Sequence, residues 1–150
     1  MKLAEALILR ADLQNRQEQL RQRLRDNALV QDGEQPAEDP MVLLEEVDRN
    51  AARLEELIAG INRTNASTVV EGMTLTERLA RREALTQRIS ILQSLLENAS
   101  KTVMRGSRTE VKICSSVDVR ALRRQADLLC AELRALDTLI QSSNWTTELS

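Results

Sequence analysis

The sequence predicts an all-α protein: an antiparallel up-down-up-down four-helix bundle of long helices, with two longer loops that have room for short strands. Three observations lead there. Apolar residues recur at three- and four-residue steps over four separate stretches. The apolar content is almost wholly Leu, Ile, Val and Ala, with Trp145 the sole aromatic residue and no Phe, Tyr or His. That palette suits helices better than sheets, which favour aromatic and β-branched residues. Loops of about a dozen residues separate stretches of similar length, and antiparallel neighbours are the economical way to join them. A chain of 150 residues fits a single domain and can bury a core without disulfide or metal staples.

In the first stretch Leu3, Ala6, Leu13, Leu20 and Leu24 share one stripe of a helix running to about Asn27, and Arg10 and Gln17 stand on that stripe where the heptad asks for apolar residues. Gly33 and Pro36 mark a loop, and Asp39-Pro40 supplies an N-cap followed by a first-turn proline. The seam of the second helix reads as Leu44, Val47, Ala51, Leu54, Ile58 and Ile61, thickened on its flank by Leu43 and Leu57. From Asn62 to Gly72 polar, β-branched and Gly residues break the period, with Thr68-Val-Val loosely strand-like. Thr74 and Glu77 then form a capping-box pattern that starts the third helix at Leu75.

The third seam is Leu75, Leu85, Ile89, Leu92, Leu96, Ala99 and Val103, with Arg82 on it, and Gly106 marks its exit. Glu110 to Cys114 alternates polar and apolar like a short strand, and Ser116 or Asp118 can cap the last helix. Val119, Leu122, Ala126, Leu129, Leu133, Leu136 and Ile140 make that helix the cleanest pattern. Trp145 follows its end, read as a lid folded back on the core, with an exposed recognition aromatic as the alternative. This topology gathers Glu34, Glu38, Arg105, Arg108, Glu110 and Lys112 at one end, and Asn62, Asn65, Asn144, Trp145 and the N-terminus at the other.

The 21 basic and 23 acidic side chains leave a formal charge of -2, too near balance to draw the molecule to nucleic acid or anionic lipid. The distribution is uneven: Lys2 to Asn27 carries six basic and four acidic residues, Asp32 to Glu56 nine acidic and two basic. The first two helices should therefore attract one another. Cys114 and Cys130 fit neither a metal-ligand spacing nor a disulfide framework and read as reduced, buried residues of a cytoplasmic protein. Leu3 to Leu9 is too short for a signal peptide or a membrane span.

Without His the usual general base is absent, no seam carries the Glu of a di-metal centre, and no Gly-rich loop resembles a phosphate cradle. The expectation is a non-enzyme with no cofactor and no metal. The informative anomalies are Arg10, Gln17 and Arg82, because an unpaired buried guanidinium costs several kcal/mol and demands a partner. One reading pairs them with Asp12, Glu45, Glu83 or a neighbouring subunit to fix helix register. The other is a polar or anion-binding site built from Arg10, Gln14, Gln17 and Arg82 with Asn62, Thr64 and Asn65 of the loop, its ligand unknown.

The segments Leu3 to Leu7, Arg10 to Gln14, Gly33-Glu34 through Glu38-Asp39-Pro40, Ile61 to Asn65, Leu79 to Arg82 and Asn144-Trp145 together resemble a family of small bacterial helical proteins, many labelled septicolysin. The resemblance spans nearly the whole chain and brings no established activity. The label implies a pore-forming toxin, against which stand the missing secretion signal, the lack of long alternating segments and the near absence of aromatic residues. The leading expectation is a cytoplasmic structural or interaction protein that self-associates through helix faces as a homo-oligomer, with Leu43, Leu57, Leu128 and Leu139 as a second face. A small-molecule or anion-binding protein using the seam arginines is the alternative.

Overall fold

A computed structural model describes residues 1–101 and 113–150. Among them lie four helices and one two-stranded antiparallel sheet, in the order α1 (Leu3–Asp26), α2 (Pro40–Ser67), β1 (Val69–Val70), β2 (Met73–Thr74), α3 (Leu75–Ala99) and α4 (Val119–Thr146). The chain divides into two compact units: Met1–Thr76 with Gln141–Ser150, and Glu77–Ile140.

In the first unit α1 and α2 run antiparallel, because contacts step down α2 as they step up α1. Arg16 Nε reaches Glu46 Oε1 at 2.6 Å, Gln17 Nε2 donates to the Val47 carbonyl at 3.0 Å, and Arg23 makes a two-pronged pair with Glu38. The basic first helix and acidic second helix do attract one another. The two ion pairs are exposed and contribute little, the Gln17 bond is partly buried, and packing supplies the bulk of the stability. Leu3, Ala6, Leu57, Ile61 and Leu75 form the buried cluster, with Leu7, Leu13, Val70 and Leu149 against it.

Asp39 starts α2 as expected, its Oδ1 accepting from Met41 N–H at 2.9 Å with Pro40 in the first turn. The helix does not stop at Ile61. It continues to Ser67 because Ile61 and Thr64 extend the buried stripe, while the hydroxyls of Thr64 and Ser67 bond back to the carbonyls of Gly60 and Arg63. The polar run Asn62–Ser67 is thus helix rather than loop, solvated on one side with Thr64 buried on the other. Val69–Val70 and Met73–Thr74 then pair as a hairpin across Glu71-Gly72, both with positive φ (47° and 80°), the backbone of a tight two-residue turn.

Half of the seam expected for α2 holds, at Val47, Leu54 and Ile61, while the other half is one residue out: Leu43, Asn50 and Leu57 take the inner places given to Leu44, Ala51 and Ile58. Leu43 and Leu57, taken for a flank, are 4% and 2% exposed, whereas Leu44 and Ile58 are 41% and 39% exposed and Ala51 is exposed too. The inner stripe is Leu43, Val47, Asn50, Leu54, Leu57, Ile61 and Thr64. Two apolar rows share this helix, and the polar Asn50 and Thr64 make the true seam look the poorer one.

In the second unit α3 and α4 are also antiparallel. Arg81 and Arg82 pair with Glu132 and Asp137, and Arg123 Nη2 donates to Ser100 Oγ at 3.2 Å. Leu85, Ile89 and Leu129 form its core, with Leu92, Cys130 and Leu133 packed on it, as both seams anticipated. Asp118 caps α4, its Oδ1 accepting from Ala121 N–H at 3.0 Å. Cys130 is half-buried, but Cys114 is exposed, contrary to the buried pair expected. Leu128 is exposed and Leu139 half-buried. Trp145 lies within the last turn of α4 and is 55% exposed, so it is no lid. Val103, Arg105, Gly106, Arg108, Glu110 and Lys112 fall outside the described residues.

Candidate functional site

The middle of the α1–α2 interface is polar. Arg10 and Gln17 occupy inner positions of α1 a heptad apart, and Asn50 occupies an inner position of α2. Among the described residues, the buried side-chain nitrogen and oxygen atoms without a hydrogen-bond partner are Arg10 Nε, Gln17 Oε1 and Asn50 Nδ2, spread along α1 and α2 with Arg10 and Gln17 about two turns apart. Gln17 Nε2 donates to the Val47 carbonyl, while its Oε1 accepts from no group. An unmet buried donor or acceptor costs about 1–3 kcal/mol, so these atoms are a stored expense within an otherwise satisfied interface. Gln14, placed with Arg10 and Gln17 from the sequence, faces solvent.

The other candidate residues of this unit lie elsewhere. Thr64 is buried and serves a different structure, an extended strap over residues 147–150. Leu3 N–H donates to the Thr147 carbonyl and Leu149 N–H to the Met1 carbonyl, both at 2.9 Å, an antiparallel bridge between Lys2 and Glu148. Ser150 N–H then donates to Thr64 Oγ1 at 2.9 Å, and Arg63 Nη2 reaches the Ser150 carbonyl at 3.3 Å. Gly60 makes room, since a Cβ there would stand 3.2 Å from the Ser150 carbonyl oxygen. Lys2 Nζ and the amino group of Met1 flank Glu148 at 2.6 and 3.1 Å, and these two cations, Lys2 foremost, hold its carboxyl below the usual carboxylate range. Asn62 is exposed and Asn65 half-buried.

Arg82 belongs to the second unit, where Asp137 Oδ1 lies 3.6 Å from its Nη1. The partner is neither Glu83 nor Glu45. Sequence reasoning passed over Asn50, because half of the α2 seam was set one residue off, and Arg78, which is 7% exposed and stands three residues after Leu75 on the same stripe as Arg82. The three-then-four spacing of Leu75, Arg78 and Arg82 was the available signal.

Both units also carry unused apolar surface. On α2 the outer stripe Met41, Leu44, Ala51 and Ile58 is exposed. In the second unit an open groove of about 420 Å³ is lined by Ala84, Arg88, Ile91, Leu95, Leu122 and Gln125 among others, with Ile91 65% exposed.

Residues 10–149 match the profile of a family of unknown function, DUF6847. The chain belongs to that family. It is also similar along its whole length to a functionally unknown conserved protein from Corynebacterium diphtheriae seen in a crystal structure, at 42% identity and a TM-score of 0.93, covering 100% of this chain and 99% of that one. No curated protein matches. The resemblance to septicolysin-labelled proteins is thereby corrected: the family that matches has no assigned function, and nothing transfers the toxin label to a DUF6847 chain. Among the described residues no helix is long and apolar enough to cross a membrane.

Proposed function

We propose that this DUF6847 protein is an interaction protein that self-associates through the outer stripe of α2. The observation that carries the reading is that α2 bears, beside its buried stripe, an outer row of apolar residues that the chain leaves uncovered. Met41, Leu44, Ala51 and Ile58 repeat over about 25 Å of helix at 1.5 Å per residue and stay exposed. A surface-exposed stripe at heptad spacing is the pattern by which helices recruit helices. The up-down-up-down arrangement of the four helices, a cytoplasmic location and the absence of catalysis go with this reading; the free thiols of Cys114 and Cys130 support the location. Light scattering after size exclusion tests it: the wild type should show more than one chain per particle at micromolar concentration, and Leu44→Glu should lower that mass without loss of helix content. A wild-type particle of one chain ends the reading.

The unmatched donors Arg10 Nε and Asn50 Nδ2 favour a second reading, a small molecule bearing a carboxylate or other oxyanion bound along α1 and α2. A panel of small carboxylates and phosphate should then raise the melting temperature of the wild type and leave that of Arg10→Ala unchanged.

A further inference from the structure

We propose that the receptor for the outer stripe of α2 is the α3–α4 groove of a second copy of the chain, so that assembly is ridge into groove rather than ridge against ridge. This rests on the self-association reading above and adds its partner surface. The argument is complementarity of both pattern and charge. Along the ridge, positions 41, 44, 48, 51, 55 and 58 follow one heptad, and its polar members are Asp48 and Glu55, both exposed and without an ion partner among the described residues. The flanking Glu45 is likewise unpaired. Two such ridges face to face would oppose carboxylate to carboxylate.

The groove offers the opposite composition. Its α3 side is Ala84, Arg88, Ile91 and Leu95, the same three- and four-residue steps, with Leu122 of α4 on the far wall. No acidic side chain lines it, and Arg88, exposed, has no ion partner among the described residues. Neighbouring arginines are already committed, Arg81 to Glu132 and Arg82 to Asp137. A ridge seated in this groove places Leu44, Ala51 and Ile58 against Ile91, Leu95 and Leu122, and brings Asp48 or Glu55 to Arg88. The ridge belongs to the first unit and the groove to the second, and the apolar residues of each are left exposed. Using two different patches, the contact leaves each chain with one of each to offer, the condition for a reciprocal pair, a ring or an open series.

Mixing two variants tests the proposal. Ile58→Arg sets a cation on the ridge against Arg88, and Ile91→Glu sets an anion in the groove against Asp48 and Glu55. Both sites are at the surface, and circular dichroism checks that each variant folds. Each alone should assemble about tenfold more weakly than the wild type or not at all, since like charges are then juxtaposed. An equimolar mixture should recover a two-chain particle, because the intact groove of one variant meets the intact ridge of the other. As a second measurement that leaves the apolar contacts untouched, Arg88→Glu should weaken assembly, and adding Asp48→Arg and Glu55→Arg in the same chain should restore it. If Ile91→Glu assembles as the wild type does, or the mixture shows no rescue, the groove is not the receptor while self-association stands. A wild type of one chain per particle removes both.

Discussion

At the scale of single residues, the decisive positions are on α2, where leucines on its two sides have opposite fates. Leu57 is 2% exposed and packs with Leu3, Ala6 and Ile61, whereas Leu44 is 41% exposed on the outer row. Leu57→Ala should therefore cost about 2–5 kcal/mol. Leu44→Ala, measured in dilute solution, should stay within about 0.5 kcal/mol, as surface changes do. Urea denaturation of the two variants checks this, and equal costs would return the seam to the sequence-predicted register. Asn50 offers a second test, because its Nδ2 is buried with no partner. Asn50→Leu should stabilise the protein by about 1–3 kcal/mol by removing the desolvation cost. A loss of stability instead would mean that water or a bound molecule satisfies that amide, and would favour the second functional reading.

The elements were legible to different degrees. The start of α2 at Asp39-Pro40, the start of α3 at Leu75 and the whole seam of α4 follow from local chemistry that nothing distant overrides. The end of α2 was not legible, because a polar turn looks the same whether it is solvated helix or loop, and its fate depends on Thr64 meeting residues 86 positions away. The strap over residues 147–150 was invisible for the same reason. It carries two expectations. Gly60→Val should push Leu149 and Ser150 off the helix, seen as faster hydrogen exchange at both amides, with α1–α2 otherwise protected.

The other concerns pH. The Glu148 carboxyl is depressed by Lys2 and then by the Met1 amino group, so its stabilising effect is complete above the unfolded carboxyl value of about 4.3 and is lost as pH falls through the lower folded value. Glu38, depressed by Arg23, behaves alike. A small stability difference between wild type and Glu148→Gln should thus be present at neutral pH and vanish in acid. A difference that persists in acid contradicts the ion-pair origin.

At the scale of the molecule, four helices and their antiparallel partners within each unit could be read from periodicity, while the candidate site could not. The sequence-based site joined Arg10, Gln17 and Thr64 with Arg82, but Gln17 bonds to Val47, Thr64 holds the strap, and Arg82 pairs with Asp137. Side-chain identity marks an anomaly on a stripe, but which anomalies meet depends on inter-helix register, and a one-residue error on α2 hid Asn50. The same error concealed the most informative surface, since Leu44, Ala51 and Ile58, taken for core positions, are the ones left outside. The central claim is that this exposed heptad is a contact between copies. Sedimentation velocity on the wild type, from submicromolar to submillimolar concentration, tests it most directly. The account requires a mass that rises above one chain as concentration increases, and a single-chain mass throughout would contradict it.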